Sequence, residues 1–104
     1  VFLAYPVVAS INDLSESERV QYSLDTLRVG DALLAATDAY RINYETLGNT
    51  EPALHTHIIP RYLDEPEDKR KMPAMMKYSW AEAERFLPEV HGDLVACIAA
   101  KLAD

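Results

Sequence analysis

The chain of 104 residues is poor in cysteine, in glycine and in positive charge, and it has no long apolar run. Each scarcity excludes something. Cys97 is the single cysteine, so neither an internal disulfide nor a cysteine-based zinc site can form. A chain without disulfides fits a reducing compartment, and the expected location is cytoplasmic. Cys97 lies in an apolar, helical stretch, which predicts a buried structural thiol, since a reactive cysteine needs a polar, electropositive setting. Apolar stretches are short and broken by charge, which excludes a membrane-spanning helix. No basic segment precedes an apolar one ahead of a cleavage site, so no signal peptide is expected. The chain opens on Val1 without a methionine, an opening expected of a processed form or a fragment.

Ten Lys and Arg face 17 Asp and Glu, a net charge of -7. That balance repels phosphate backbones and anionic lipid surfaces, so neither nucleic acid nor membrane is an expected partner. A small phosphorylated ligand remains compatible, provided that local positive charge or aimed N–H donors meet it. What is abundant is apolar side chain, 49% of residues, with only 3 Gly and 6 Pro. This composition suits one globular domain over residues 1–104.

Along the chain, residues 1–11 predict a strand in which Pro6, having no ladder donor, marks an edge or a bulge. Ser15 and Glu18 have capping-box spacing, and Val20, Leu24, Leu27 and Leu34 recur as a helical stripe, so a helix is expected to about Asp38. Gly30 falls inside it, at a propensity cost of about 1 kcal/mol, where its small size would permit close contact with a sheet. Residues 40–47 and 54–62 read as two strands of a hairpin around the turn-forming Gly48-Asn49-Thr50-Glu51-Pro52. The charged stretch 63–73 predicts an irregular, solvated connection, or a flap that closes on ligand. Ser79 and Glu82 repeat the capping-box spacing and predict a short helix interrupted by Pro88. Val90, Leu94, Cys97 or Ile98, and Leu102 predict a final amphipathic helix. This order of elements argues for an α+β fold with an antiparallel sheet and helices packed on it.

The chemistry concentrates in Leu54-His55-Thr56-His57-Ile58-Ile59-Pro60-Arg61. Side chains alternate across a strand, so Ala53, His55, His57 and Ile59 share one face and Leu54, Thr56 and Ile58 the other. The two imidazoles then stand about 6 to 7 Å apart at their α-carbons, close enough to address one phosphate together. Apolar Leu54 and Ile58 anchor the strand behind them. Neutral imidazole is a good nucleophile near neutral pH if its other ring nitrogen is tied to an acceptor, and a backbone carbonyl near Ala53 or Leu54 is the expected acceptor. Taken alone, His-x-His is also a pattern of metal centres or of two satisfied strand histidines. A zinc site would need third and fourth ligands, which the sequence does not place. His91 is expected at the surface. Asn43, Asn49, Thr50 and Arg61 have equally ordinary readings as a strand-end polar group, turn formers and an ion-pair partner.

His-x-His followed by two apolar residues, Pro60 and Arg61, after the Arg41-x-Asn43 strand and the Gly48-Asn49-Thr50 loop, resembles the histidine triad (HIT) family. The resemblance covers residues 1 to about 62. It implies a HIT-like fold and hydrolysis or transfer at the α-phosphate of a nucleoside phosphoramidate, dinucleotide or nucleotide ester. His55 takes the place of the middle, nucleophilic histidine, and His57 that of the third, beside the reacting phosphate. Asn43, Asn49, Thr50 and Arg61 become the expected phosphate and substrate contacts. No cofactor and no metal are implied, the partner is a small nucleotide or phosphate ester, and a homodimer is expected. The departure from the pattern is Ala53, which stands at the first histidine of the triad. It leaves two functional classes in view, a hydrolase working through nucleotidyl-His55 and a nucleotide-binding or sensing module that does not turn over. Strands and a helix that the family carries ahead of the position of residue 1 are expected to be absent or shortened.

Overall fold

The computed structural model describes residues 1–103 and shows an α+β arrangement. Three antiparallel strands, β1 (Phe2–Leu3), β2 (Arg41–Glu45) and β3 (His55–Arg61), form a sheet in the order β1-β3-β2. The long helix α1 (Glu16–Ala36) covers one face. Beyond β3 come two single-turn helices, α2 (Glu67–Arg70) and α3 (Ala74–Lys77), then α4 (Pro88–Leu102). None of these helices is long and apolar enough to cross a membrane.

β3 is the central strand, with β2 paired to it from Arg41 opposite Arg61 to Glu45 opposite His57. The expected first strand shrinks to two residues. Ala4 N–H still donates to the Leu54 carbonyl and Leu54 N–H to the Val8 carbonyl, but between them the cis Tyr5–Pro6 peptide carries the chain out of the ladder. Proline's missing donor is therefore a place of departure, within a strand shorter than the pattern predicts.

α1 starts where the sequence places it, with a reciprocal capping box: Glu18 N–H donates to the Ser15 hydroxyl and Ser15 N–H to the Glu18 carboxylate. The apolar stripe that predicts this helix nevertheless faces outward, and Val20, Leu24, Leu27 and Leu34 are exposed. The buried side carries Tyr22, Thr26, Gly30 and Leu33, which share one helical face by spacing. Polar chemistry explains the choice, because the back of the sheet presents hydroxyls that need partners. Tyr22 and Thr46 each lie 2.7 Å, hydroxyl to hydroxyl, from Thr56, which is 2% exposed. Tyr44 lays its phenol against Gly30, where a β-carbon would collide with the hydroxyl oxygen. Burial, followed by the charge of Asp31, raises the Tyr44 phenol above its ordinary pKa. The adjoining core joins Ala4, Leu14, Tyr22 and Leu54, with Phe2 and Val8 against it.

The C-terminal part departs further from expectation. The charged connection contains the single turn α2 and is followed directly by α3. Ser79 caps nothing with its side chain, and residues Trp80–Glu82 make one 3-10 turn. Pro88 is the reason. It cannot donate within a helix and forces Leu87 into extended backbone, so it opens α4 as that helix's first residue. α4 packs mainly on α1, and the Arg28 guanidinium reaches the Leu102 carbonyl at 3.3 Å. Cys97 is exposed, contrary to the buried thiol expected from its apolar neighbours, because among the described residues no element covers that side of α4.

Candidate functional site

α1 covers the back of β3, so the candidate residues lie on the opposite face. Leu54 and Thr56 are buried against α1 and its core, leaving His55, His57, Ile59 and Arg61 on the front. The Thr56 hydroxyl, held from both sides by Tyr22 and Thr46, fixes the backbone between the two histidines. A strand pinned in this way is a rigid mount for the two imidazoles.

The imidazole centroids lie 5.2 Å apart with the rings nearly perpendicular. His55 Nδ1 sits 2.6 Å from the Ala53 carbonyl oxygen. A carbonyl can only accept, so Nδ1 carries the proton and the lone pair is left on Nε2. This is the contact that the tautomer argument requires, and a main-chain atom supplies it whatever side chain residue 53 bears. His57 lies beside it, with its ring 6.4 Å from that of Trp80.

A cleft of about 230 Å³ opens over the pair, walled by Asn49, Thr50, Glu51, both histidines and Met75. The loop that brings Asn49 and Thr50 there turns at Gly48, whose φ of 91° is a conformation that residues with a β-carbon rarely adopt. Four of the six residues singled out from the sequence, His55, His57, Asn49 and Thr50, therefore meet in one place.

Asn43 and Arg61 do not join them. Arg61 is 3% exposed, and all five of its N–H donors are taken. Nε and Nη2 donate to the two Glu65 oxygens at 3.2 and 3.0 Å, Nη1 to Asn43 Oδ1 at 2.8 Å and the Met72 carbonyl at 2.7 Å, and Nη2 also to the Lys69 carbonyl at 2.8 Å. The guanidinium thus binds the 65–72 segment to the sheet and has no free donor for a phosphate; Asn43 turns its oxygen to this group. Burial pushes the Glu65 carboxyl up, but hydrogen bonds from Arg61, the Tyr78 hydroxyl and Tyr62 N–H outweigh it and hold the group at about 2.

Several neighbours escaped the sequence reading. Glu45 stands directly opposite His57 and on its face, but this depends on the hairpin register, which the nine residues between the strands do not specify. Met75 and Trp80 reach the histidines only through the folding of the charged segment. The Glu65 contact was accessible in principle, four residues after an arginine already suspected of an ion pair. Among the described residues, no group of three or more His, Cys, Asp or Glu side chains converges in a way that could hold a metal ion.

Solved structures share this fold. A histidine triad protein of Sinorhizobium meliloti superposes with a TM-score of 0.75 at 26% identity, over 90% of this chain and 66% of that one. One from Bradyrhizobium japonicum gives 0.71 at 25%, over 93% and 69% respectively. A third, from Marinobacter aquaeolei, gives 0.69 at 19%, over 92% and 66%, a likeness of fold alone. The fold is therefore HIT-like, and the chain spans about two thirds of the length of these structures. No protein-family model and no curated protein matches it.

Proposed function

We propose that the chain is a HIT-type nucleotide hydrolase or transferase that acts on the α-phosphate of a nucleoside phosphoramidate, dinucleotide or nucleotide ester through a nucleotidyl-His55 intermediate. The observation that carries this reading is the His55 Nδ1 contact with the Ala53 carbonyl, which directs a lone pair on Nε2 away from the backbone. Attack by that nitrogen forms a nitrogen–phosphorus bond and divides a difficult displacement into two easier ones. His57, when protonated, offsets charge that develops on the phosphate oxygens and supplies a proton to the departing group. Asn49 and Thr50 offer donors from the loop. Asn43 and Arg61 serve the site indirectly in this reading, by holding the 65–72 segment that leads to Met75 and Trp80. The test is turnover of adenosine 5′-phosphoramidate by the parent and by His55→Ala. Loss of about 10⁴-fold or more is expected for the variant, the scale seen when a nucleophile is removed. Equal turnover would eliminate the mechanism.

Two observations favour a second reading, a nucleotide-binding or sensing module. By the family resemblance Ala53 takes the place of the first histidine, and Glu51 borders the cleft, where its negative charge would repel a phosphate. Saturable nucleotide binding without turnover in the parent would establish that reading. The same resemblance supports a homodimer in the cytoplasm, and the exposed Val90, Leu94 and Val95 of α4 supply apolar surface for a second copy. A monomer mass at micromolar concentration in solution would contradict the dimer.

A further inference from the structure

A second cavity, of about 390 Å³, lies on the same sheet face, past His57 in the direction of Arg61. Ile59, Met75, Tyr78, Trp80 and Ala83 line it, with Pro60 at its border. Met75 borders this cavity and the histidine cleft alike, so the two are neighbours with a thioether between them. The volume lies within the range of small-molecule sites.

We propose that this cavity receives the apolar, aromatic part of the group that departs from phosphorus. The proposal rests on the nucleotidyl-transfer reading above. Three observations lead to it. The charged residues of the wall offer nothing to a polar ligand, because the Arg61 donors are all engaged and both Glu65 oxygens accept from Arg61, with Tyr78 donating to one of them. A nucleobase would find only the Ser79 and Tyr62 side chains to meet its ring nitrogens and exocyclic groups, whereas an aryl group needs no such partner. Trp80 of the cavity wall also lies 6.4 Å, ring to ring, from His57, so a short linker would join a phosphorus at the histidines to an aromatic ring in the cavity. Finally, Trp80 lines the cavity and is 69% exposed, so its indole is available to stack on an aromatic guest.

For a phosphoramidate the step balances as follows. The His55 Nε2 lone pair forms a bond to phosphorus while the bond from phosphorus to the amine breaks. That electron pair stays on the amine nitrogen, which takes a proton from His57. Water then attacks phosphorus, the bond to His55 breaks with its pair returning to Nε2, and the proton lost by water restores His57. The products are the nucleotide and the free amine.

The parent chain is assayed with the adenosine 5′-phosphoramidates of 2-phenylethylamine and of methylamine. A preference of about tenfold or more in kcat/KM for the phenylethyl substrate is expected, the scale of filling an apolar pocket. Ala83→Phe, which fills the cavity from its wall, is expected to bring the ratio near one with the methylamine substrate turned over as before. Equal kcat/KM values in the parent, or an unchanged ratio in a folded Ala83→Phe, would overturn the proposal. Trp80 is the only tryptophan, so its emission reads occupancy without turnover. If neither amide is cleaved, the functional reading fails, and the parent is titrated with 2-phenylethyl phosphate and methyl phosphate. A shift of Trp80 emission at about tenfold lower concentration of the phenylethyl compound supports the cavity assignment; equal responses, or none, overturn it.

Discussion

The two ends of β3 treat their polar groups in opposite ways. At Arg61 every N–H donor of a buried guanidinium finds an acceptor inside the protein. At His55 and His57, one ring nitrogen is tied to the Ala53 carbonyl, and the pair faces a cleft. The strand thus carries a structural fastener at one end and a histidine pair open to a cleft at the other. Residues of similar promise in the sequence are separated by how completely their hydrogen-bonding capacity is used.

The contrast can be broken most severely at the fastener. Arg61→Ala leaves the Glu65 carboxylate buried without its cation and is expected to cost about 3–5 kcal/mol in chemical denaturation, with the folded fraction still turning over substrate. A loss of turnover with unchanged stability would reverse the assignment of the two ends. A smaller effect is expected behind the histidines. Thr56→Val keeps the shape but removes the hydroxyl shared by Tyr22 and Thr46, and a cost of about 1–3 kcal/mol is expected. The smallest effect is in acid. The Glu65 carboxyl titrates at about 2 in the folded protein, below its ordinary 4.5. Its contribution is fully present above 4.5 and is lost as pH falls toward 2. Unfolding curves of Glu65→Gln should therefore show a shallower acid dependence across that window than the parent, and identical slopes would contradict the Arg61–Glu65 coupling.

Local chemistry was legible where it is short in range. The Ser15 and Glu18 capping box, the parity of the histidines and the turn at Gly48 follow from spacing alone. The face of α1 that packs was not legible, because Val20, Leu24, Leu27 and Leu34 read as the buried stripe while the sheet needed the smaller and polar side of the helix. The second Ser-x-x-Glu repeated a helix signal that Pro88, six residues after Glu82, restricts to a single turn. Arg61 was ambiguous for a related reason. Its parity with His57 is correct, but only the folded path of residues 65–72 shows where its donors go.

The most direct test of the reactive pair is intact-mass analysis after rapid mixing with adenosine 5′-phosphoramidate and acid-free quenching. The account predicts a transient species heavier by one adenylyl group in the parent, absent from His55→Ala and mapped by fragmentation to His55. Turnover in the parent with no such adduct at any mixing time, or an adduct of equal size in His55→Ala, would contradict it.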